Sequence, residues 1–223
     1  MKMINAARVK RYLYKKKCNI EGKLSKKMLE SEDFTIISSN CLAGKIYNHF
    51  GIKYKTPTIG LFFYGEDFLN FIEDIDKYLI SELDFIKTSK HDEINKMREE
   101  HNLRYPIGKI DDIEIQFLHY ENQFEAKEKW TRRCKRINKH NIFIIDTDRD
   151  GFKTSYVERY DKINYPKIIF TSKQNDKQFM IQIKEYIEKD CVGDLYNDCY
   201  LFKYVNFVNW INKRKLKVEN SNQ

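Results

Sequence analysis

The chain is poor in the residues that break or loosen structure, with eight Gly and three Pro in 223 positions. That excludes collagen-like, Gly/Ser-linker and Pro-rich architectures. No apolar run approaches the roughly 20 residues that span a bilayer. The cations near the start are followed by no apolar stretch and no small-residue cleavage site, which argues against a secretory leader. Cysteine is sparse and odd in number: Cys18, Cys41, Cys134, Cys191 and Cys199, with no CxxC and no histidine at zinc-finger spacing. A reduced, cytoplasmic protein with free thiols is the expectation. Also missing are the Gly-rich dinucleotide fingerprint, the phosphate-loop Gly-Lys-Ser/Thr, the Gly-x-Ser-x-Gly elbow and His-Glu-x-x-His. Their absence disfavours the common nucleotide, serine-hydrolase and zinc-protease chemistries.

What is present is a hydrophobic content of 41% with 14% aromatics, enough for a packed core. The length favours one domain. The net charge of +8 is unevenly placed. Residues 1–30 hold ten Lys and Arg against Glu21 and Glu30, so they carry the whole excess, and the remaining 31 cations and 31 anions cancel. A nucleic-acid groove usually carries its charge on the folded surface, so this distribution weakens that reading. The expected organisation is a basic helical arm over 1–30, one domain over 31–215 and a disordered tail over 216–223. On a helical wheel of 3–17, Met3, Ala6, Ala7, Val9, Leu13 and Tyr14 share one face, and Arg8, Arg11 and Lys15 share another. A second short helix is expected over 23–31.

Beyond the arm, short β-branched runs alternate with helical periodicity. Strands are predicted at 34–38, 58–63, 83–87, 113–120, 141–146 and 167–171. A helix is predicted after Ser39–Gly44, stopping near Gly51, and others at 65–81, 90–101, 122–139, 153–162 and 178–189, with a turn at Tyr105–Gly108 and a segment 203–214 that ends the body with Val205, Val208 and Ile211 facing inward. This alternation predicts an α/β fold, a three-layer α/β/α (Rossmann-like) arrangement with a largely parallel or mixed sheet. Ligands in such folds sit at the carboxyl ends of the strands.

Four segments carry candidate chemistry. The loop Ser38–Gly44 follows a strand and enters a helix, where amides and the helix dipole favour anions and would lower the Cys41 thiol pKa. Cys41 is thus a candidate nucleophile, with Asn40 and Gly44 as binding positions. The bland reading makes Cys41 a small buried residue and Asn40 a helix cap. His119-Tyr120 ends a strand, and its imidazole is a candidate general base. On the 122–139 helix, Arg133 and Arg136 are placed to neutralise phosphate beside the Trp130 indole, although a solvated cationic face is the commoner outcome. Asp146-Thr147-Asp148 forms an Asp-x-Asp at a strand end, a weak match to the divalent-metal motif of glycosyltransferases that use sugar nucleotides. Arg149-Asp150-Gly151 reads as turn chemistry.

Taken together, FTIISSNCLAG (34–44), YKTPTIGLFF (54–63), YPIGKIDDIEIQFLHY (105–120), EAKEKWTRRCKRIN (125–138) and KIIFTS (167–172) resemble a bacterial family of unknown-function domains. Its members are commonly described as exopolysaccharide biosynthesis proteins. Where that family usually carries Asn-Cys-Trp-Gly-Gly, this chain has Asn40-Cys41-Leu42-Ala43-Gly44. The resemblance implies an α/β/α fold and a link to surface-glycan assembly. The leading expectation is therefore a transferase acting on a carbohydrate or lipid-linked glycan, by acyl or glycosyl transfer. Its pocket would be formed by the 38–44 loop, Thr56 and Thr58, His119 and Tyr120, and the basic side of the 125–138 helix. An acyl thioester donor would favour Cys41. A sugar nucleotide with a divalent metal would favour Asp146 and Asp148. Two other classes compete: a non-catalytic glycan- or partner-binding protein of a biosynthetic complex, and nucleic-acid binding through the arm. The arm is also suited to an anionic membrane on its inner face, or to docking on the body as a solubilising helix.

Overall fold

The two most continuous apolar runs of the body lie side by side. Strand β1 (Thr35–Ser38) pairs in parallel with β5 (Ile142–Thr147), and β5 pairs in parallel with β6 (Lys167–Thr171). The order is β1-β5-β6-β7, with β7 (Met180–Gln182) closing the far edge in parallel. Alternate side chains then serve two different cores, as the strand period of two demands. Ile37, Ile142, Ile144 and Ile169 face one; Ile36, Phe143, Ile145, Ile168 and Phe170 face the other. Both faces of the sheet are therefore covered, and the protein is an α/β/α sandwich.

The structure is a computed structural model that describes residues 6–216. Met3 of the expected first helix, and the expected tail beyond 216, lie outside the described residues. The helices are α1 (Ala6–Ser25), α2 (Leu42–Phe50), α3 (Asp67–Glu73), α4 (Ile75–Ile80), α5 (Asp92–Glu100), α6 (Gln123–Cys134), α7 (Val157–Lys162), α8 (Leu195–Asp198), α9 (Leu201–Tyr204) and α10 (Phe207–Lys213). Side chains of α3, α4, α6 and α7 pack on the first face; α2 and α8–α10 pack on the second. A small antiparallel sheet, with β2 (Asp84–Ile86), β3 (Ile107–Ile110) and β4 (Ile113–Gln116) in the order β2-β3-β4, joins the first core.

Several expectations change. From Ala6 on, the two helices expected over 3–17 and 23–31 are one: α1 runs unbroken through to Ser25 and ends in the 3-10 turn Lys26–Met28. The single helix expected over 65–81 breaks at Asp74, whose backbone leaves helical geometry at φ −137° and whose carboxylate accepts from Lys77 N at 3.3 Å to start α4. The turn expected at Tyr105–Gly108 enters β3, because Ile107 and Gly108 pair with Gln116 and Ile115. The helix expected over 178–189 is instead β7 and the 3-10 turn Lys184–Tyr186. The open edge of β6 recruits that segment, a tertiary demand that outweighs local periodicity.

The strand expected at 58–63 is the most consequential change. It makes one bridge, Phe62 with Gln116, through hydrogen bonds of 2.9 and 2.8 Å. On its other side Phe63 N donates to the Ser39 carbonyl at 2.8 Å. The segment is thus a seam between the two sheets. The outer edge of β1 is closed by side chains: Tyr47 Oη accepts from Ile36 N at 3.1 Å and Thr58 Oγ1 accepts from Ser38 N at 3.1 Å. Hydroxyls so placed satisfy amides that would otherwise offer an edge to another strand.

Candidate functional site

From β1 the chain leaves to one side, through the 58–63 seam, and returns to β5 on the other. A crevice therefore opens at the carboxyl ends of β1 and β5, where open α/β sheets bind ligands. A cleft of about 740 Å³ lies there. Its wall includes Asn40 and Cys41 from the β1–α2 loop, Gly44 from the first turn of α2, Gly60 from the seam, His119 after β4, Thr147 at the end of β5, and Arg149 and Asp150 just after it. Four positions singled out in the sequence, Asn40, Cys41, Gly44 and His119, thus share one cleft. They come from segments almost 80 residues apart, joined by the seam: His119 N donates to the Gly60 carbonyl at 2.9 Å. Gly60 has φ +75°, a left-handed conformation that favours glycine, and a Cβ there would lie 3.3 Å from the Tyr120 ring.

Asn40 latches the two strand ends. Its Nδ2 donates to Thr147 Oγ1 at 3.1 Å, and its Oδ1 accepts from Leu42 N at 3.3 Å. The Ala43 amide donates to Ser38 Oγ at 3.0 Å. Two of the amides expected to hold an anion at the start of α2 are therefore already engaged. The thiol expectation also reverses. Burial pushes the Cys41 thiol up, with the Asp150 and Asp194 carboxylates adding to the rise and Arg149 and the Gly60 backbone opposing it. A half-buried thiolate flanked by carboxylates is disfavoured, and burial is the largest cause of the rise. Gly44 makes no unusually close approach, since a Cβ there would meet Ile59 at an ordinary 3.4 Å.

The α6 residues act from behind the wall. Arg133 donates to the Ile59 carbonyl at 3.1 Å and to Tyr120 Oη, and Tyr120 Oη donates to the same carbonyl. Arg133 and Tyr120 thereby hold the Ile59-Gly60 bend in place. Trp130 is buried in the first core, edge-on to Phe117 at 6.2 Å, and offers no face to the cleft. Arg136 is exposed beyond the end of α6 and does not line the cleft. Thr56 and Thr58 are fully buried, hydroxyl to hydroxyl at 3.1 Å, and brace β1.

Asp146 and Asp148 do not fit a shared cation. Asp146 accepts from Thr147 N at 2.8 Å and from Tyr160 Oη, and burial pushes its carboxyl up to about 6. Asp148 accepts from Thr171 Oγ1 at 2.9 Å, Ser172 N at 2.7 Å and Val192 N at 2.8 Å, tying three segments together. Both oxygens of each carboxylate are engaged in structural bonds and neither residue lines the cleft, so a cation shared between them would compete with the bonds that hold the strand ends. Among the described residues no group of three or more His, Cys, Asp or Glu is placed to hold a metal ion.

The domain-of-unknown-function family DUF1919 matches residues 12–212 of the chain. The chain belongs to this family. A Haemophilus influenzae (strain Rd) protein described as an uncharacterized protein is 31% identical over 191 residues, which cover 82% of this chain and 86% of that protein. The match to DUF1919 spans both sheets and every segment of the cleft wall.

Two DUF1919 cleft residues that the sequence reading passed over as turn chemistry are Arg149 and Asp150. Asp150 has φ +51°, and burial pushes its carboxyl up while Arg149 opposes the rise. Arg149 is fixed at the wall by a 3.2 Å bond from its Nη1 to the Gly193 carbonyl. A half-buried carboxylate in a cleft, raised by burial and set beside one cation, makes Asp150 a candidate acid–base group. The signal in the sequence is position alone: the pair comes just after β5, at the carboxyl end of a buried strand.

Proposed function

We propose that the protein is a transferase that moves a group from an activated donor onto a carbohydrate hydroxyl during assembly or decoration of a cell-surface glycan. The observation that carries this reading is the half-buried Asp150, in a strand-end cleft beside Arg149 and sharing that cleft with His119. A carboxylate whose pKa lies above its ordinary value is better matched to general-base work near neutrality. Asp150 takes the acceptor hydroxyl proton as the acceptor oxygen bonds to the transferred group, and the donor's leaving group departs with its electron pair. Arg149 offers its remaining N–H groups to an anionic leaving group, and His119 is the second proton carrier at the rim.

The raised Cys41 thiol disfavours a covalent acyl-enzyme, and the structural bonds of Asp146 and Asp148, outside the cleft, disfavour transfer through a metal held at Asp-x-Asp. These observations support direct transfer within a ternary complex over those two routes. The carbohydrate class rests on the resemblance to exopolysaccharide biosynthesis proteins.

The test is complementation of a strain lacking the chromosomal copy, with surface glycan analysed for composition, linkage and acyl content. Asp150→Asn should reproduce the deletion profile while melting like the wild type. A wild-type profile from a folded Asp150→Asn protein overturns catalysis by Asp150 and favours a non-catalytic binding role.

A further inference from the structure

The basic arm is a helix with one face used and the opposite face open. On the inner side Cys18 is 3% exposed, and Gly22 sits so close to α2 that a Cβ would lie 2.2 Å from the His49 carbonyl oxygen. Only glycine allows that approach, which fixes the roll of α1 about its own axis. At 100° per residue, Val9, Leu13, Ile20 and Leu24 then lie within about 60° of one another on the outer side. They are 40%, 59%, 62% and 60% exposed. Lys16 and Lys23 border this stripe on one side and Lys17 on the other, with the half-exposed Tyr12 beside Lys16.

We infer that this outer face of α1 is a docking surface for an anionic membrane, with the apolar stripe entering the headgroup boundary and the flanking lysines meeting lipid phosphates and carboxylates. Three observations select that occupant. The segment carries ten cations against two anions while the rest of the chain is neutral, so the charge is complementary to an anionic surface and repels a second copy. A coiled-coil seam through Leu13 and Ile20 would place either Lys16 and Lys23, or, if it took in Leu24, Lys10 and Lys17 at core positions, which further disfavours self-pairing. A nucleic acid would use the lysines and leave four large apolar side chains in water, whereas an interfacial helix buries them. No helix among the described residues is long and apolar enough to cross a membrane, so the attachment is to the surface.

Full-length protein is floated with neutral phosphatidylcholine vesicles and with vesicles containing phosphatidylglycerol. Binding to the anionic vesicles, weakened by salt and weak on the neutral ones, is expected. The triple replacement Leu13→Ser, Ile20→Ser, Leu24→Ser should lower the partition coefficient about 100-fold or more. It should leave the melting temperature in place, because these side chains are already in water. Lys16→Gln, Lys17→Gln, Lys23→Gln should lower it about 100-fold on anionic vesicles alone. Equal partition of wild type and the serine variant overturns the proposal. So does tight, salt-sensitive binding to DNA or RNA that the serine variant retains, with no flotation. A dimer seen by light scattering that the serine variant abolishes, again without flotation, assigns the face to a second copy and also overturns it.

Discussion

The cleft and the outer face of α1 are built in opposite ways. The cleft is concave and assembled from six separated stretches of a neutral body, with Asn40 and Arg149 anchored to its wall by hydrogen bonds. The α1 face is convex, comes from one continuous stretch, and leaves its apolar and cationic side chains in water. The two meet at α2: Cys41 and the cleft lie at its amino end, while Gly22 packs on His49 near its carboxyl end. A rigid helix about 13 Å long separates them. Under the two proposals chemistry and placement belong to different parts of the molecule, so a change in one should leave the other nearly intact.

The largest expected break in that contrast is Asp150→Asn. Loss of a general base typically costs about 10²- to 10⁴-fold in rate. Glycan output should fall accordingly, with vesicle flotation unchanged. If both fall, the two regions are not independent.

Gly22→Ala probes the joint. The added methyl collides with the His49 backbone carbonyl, and overpacking of this kind costs about 1–3 kcal/mol. Urea unfolding should show that loss, with glycan output retained in cells if the amino end of α2 holds its place.

The pH dependence sharpens the comparison further, because one group from each side titrates in an overlapping window. His49 is stacked on Phe202 at 3.9 Å with Nδ1 buried and unpaired, and burial pushes it down from 6.5 to about 4. Between those values the unfolded chain binds more protons, so this group's contribution to stability is lost as pH falls from 6.5 towards 4. Asp146, raised by burial from 3.8 to about 6, behaves in the reverse sense. The folded state holds the extra proton there, so its contribution is lost as pH rises from 3.8 through 6. The slopes oppose each other in the wild type. Unfolding measured from pH 4 to 7 should show stability falling with rising pH in His49→Gln, and rising with pH in Asp146→Asn.

The smallest effect is expected from Tyr120→Phe, which removes one hydroxyl bond to Ile59 and one from Arg133. A cost of about 1 kcal/mol in chemical denaturation is expected, with at most a modest drop in glycan output. A loss as large as that of Asp150→Asn would move Tyr120 from bracing the bend into the chemistry itself.

Much of the architecture was legible without coordinates. The apolar runs at 34–38, 141–146 and 167–171 announced buried parallel strands, because only a sheet covered on both faces tolerates unbroken hydrophobicity. The site was legible in part. Cys41 and His119 stood at strand ends, and that is where the cleft is. Arg149 and Asp150 were not recognised, since a short polar run after a strand looks the same whether it faces water or a cleft. Trp130, Thr56 and Thr58 were misplaced for a related reason: their types suit a pocket and a core equally well, and only the neighbours decide.

The sequence by itself determined the α/β alternation, the family and the confinement of the charge to one stretch, since each is written in local composition and period. Tertiary structure alone decided that residues 58–63 form a seam rather than a strand. It also decided that Asp146 and Asp148 are spent on hydrogen bonds, and that α1 turns its apolar stripe outward. The physical reason is the same in each case. A backbone edge, a carboxylate or a helix face takes whichever partner the fold brings within hydrogen-bond or van der Waals reach, and that partner is distant in the chain.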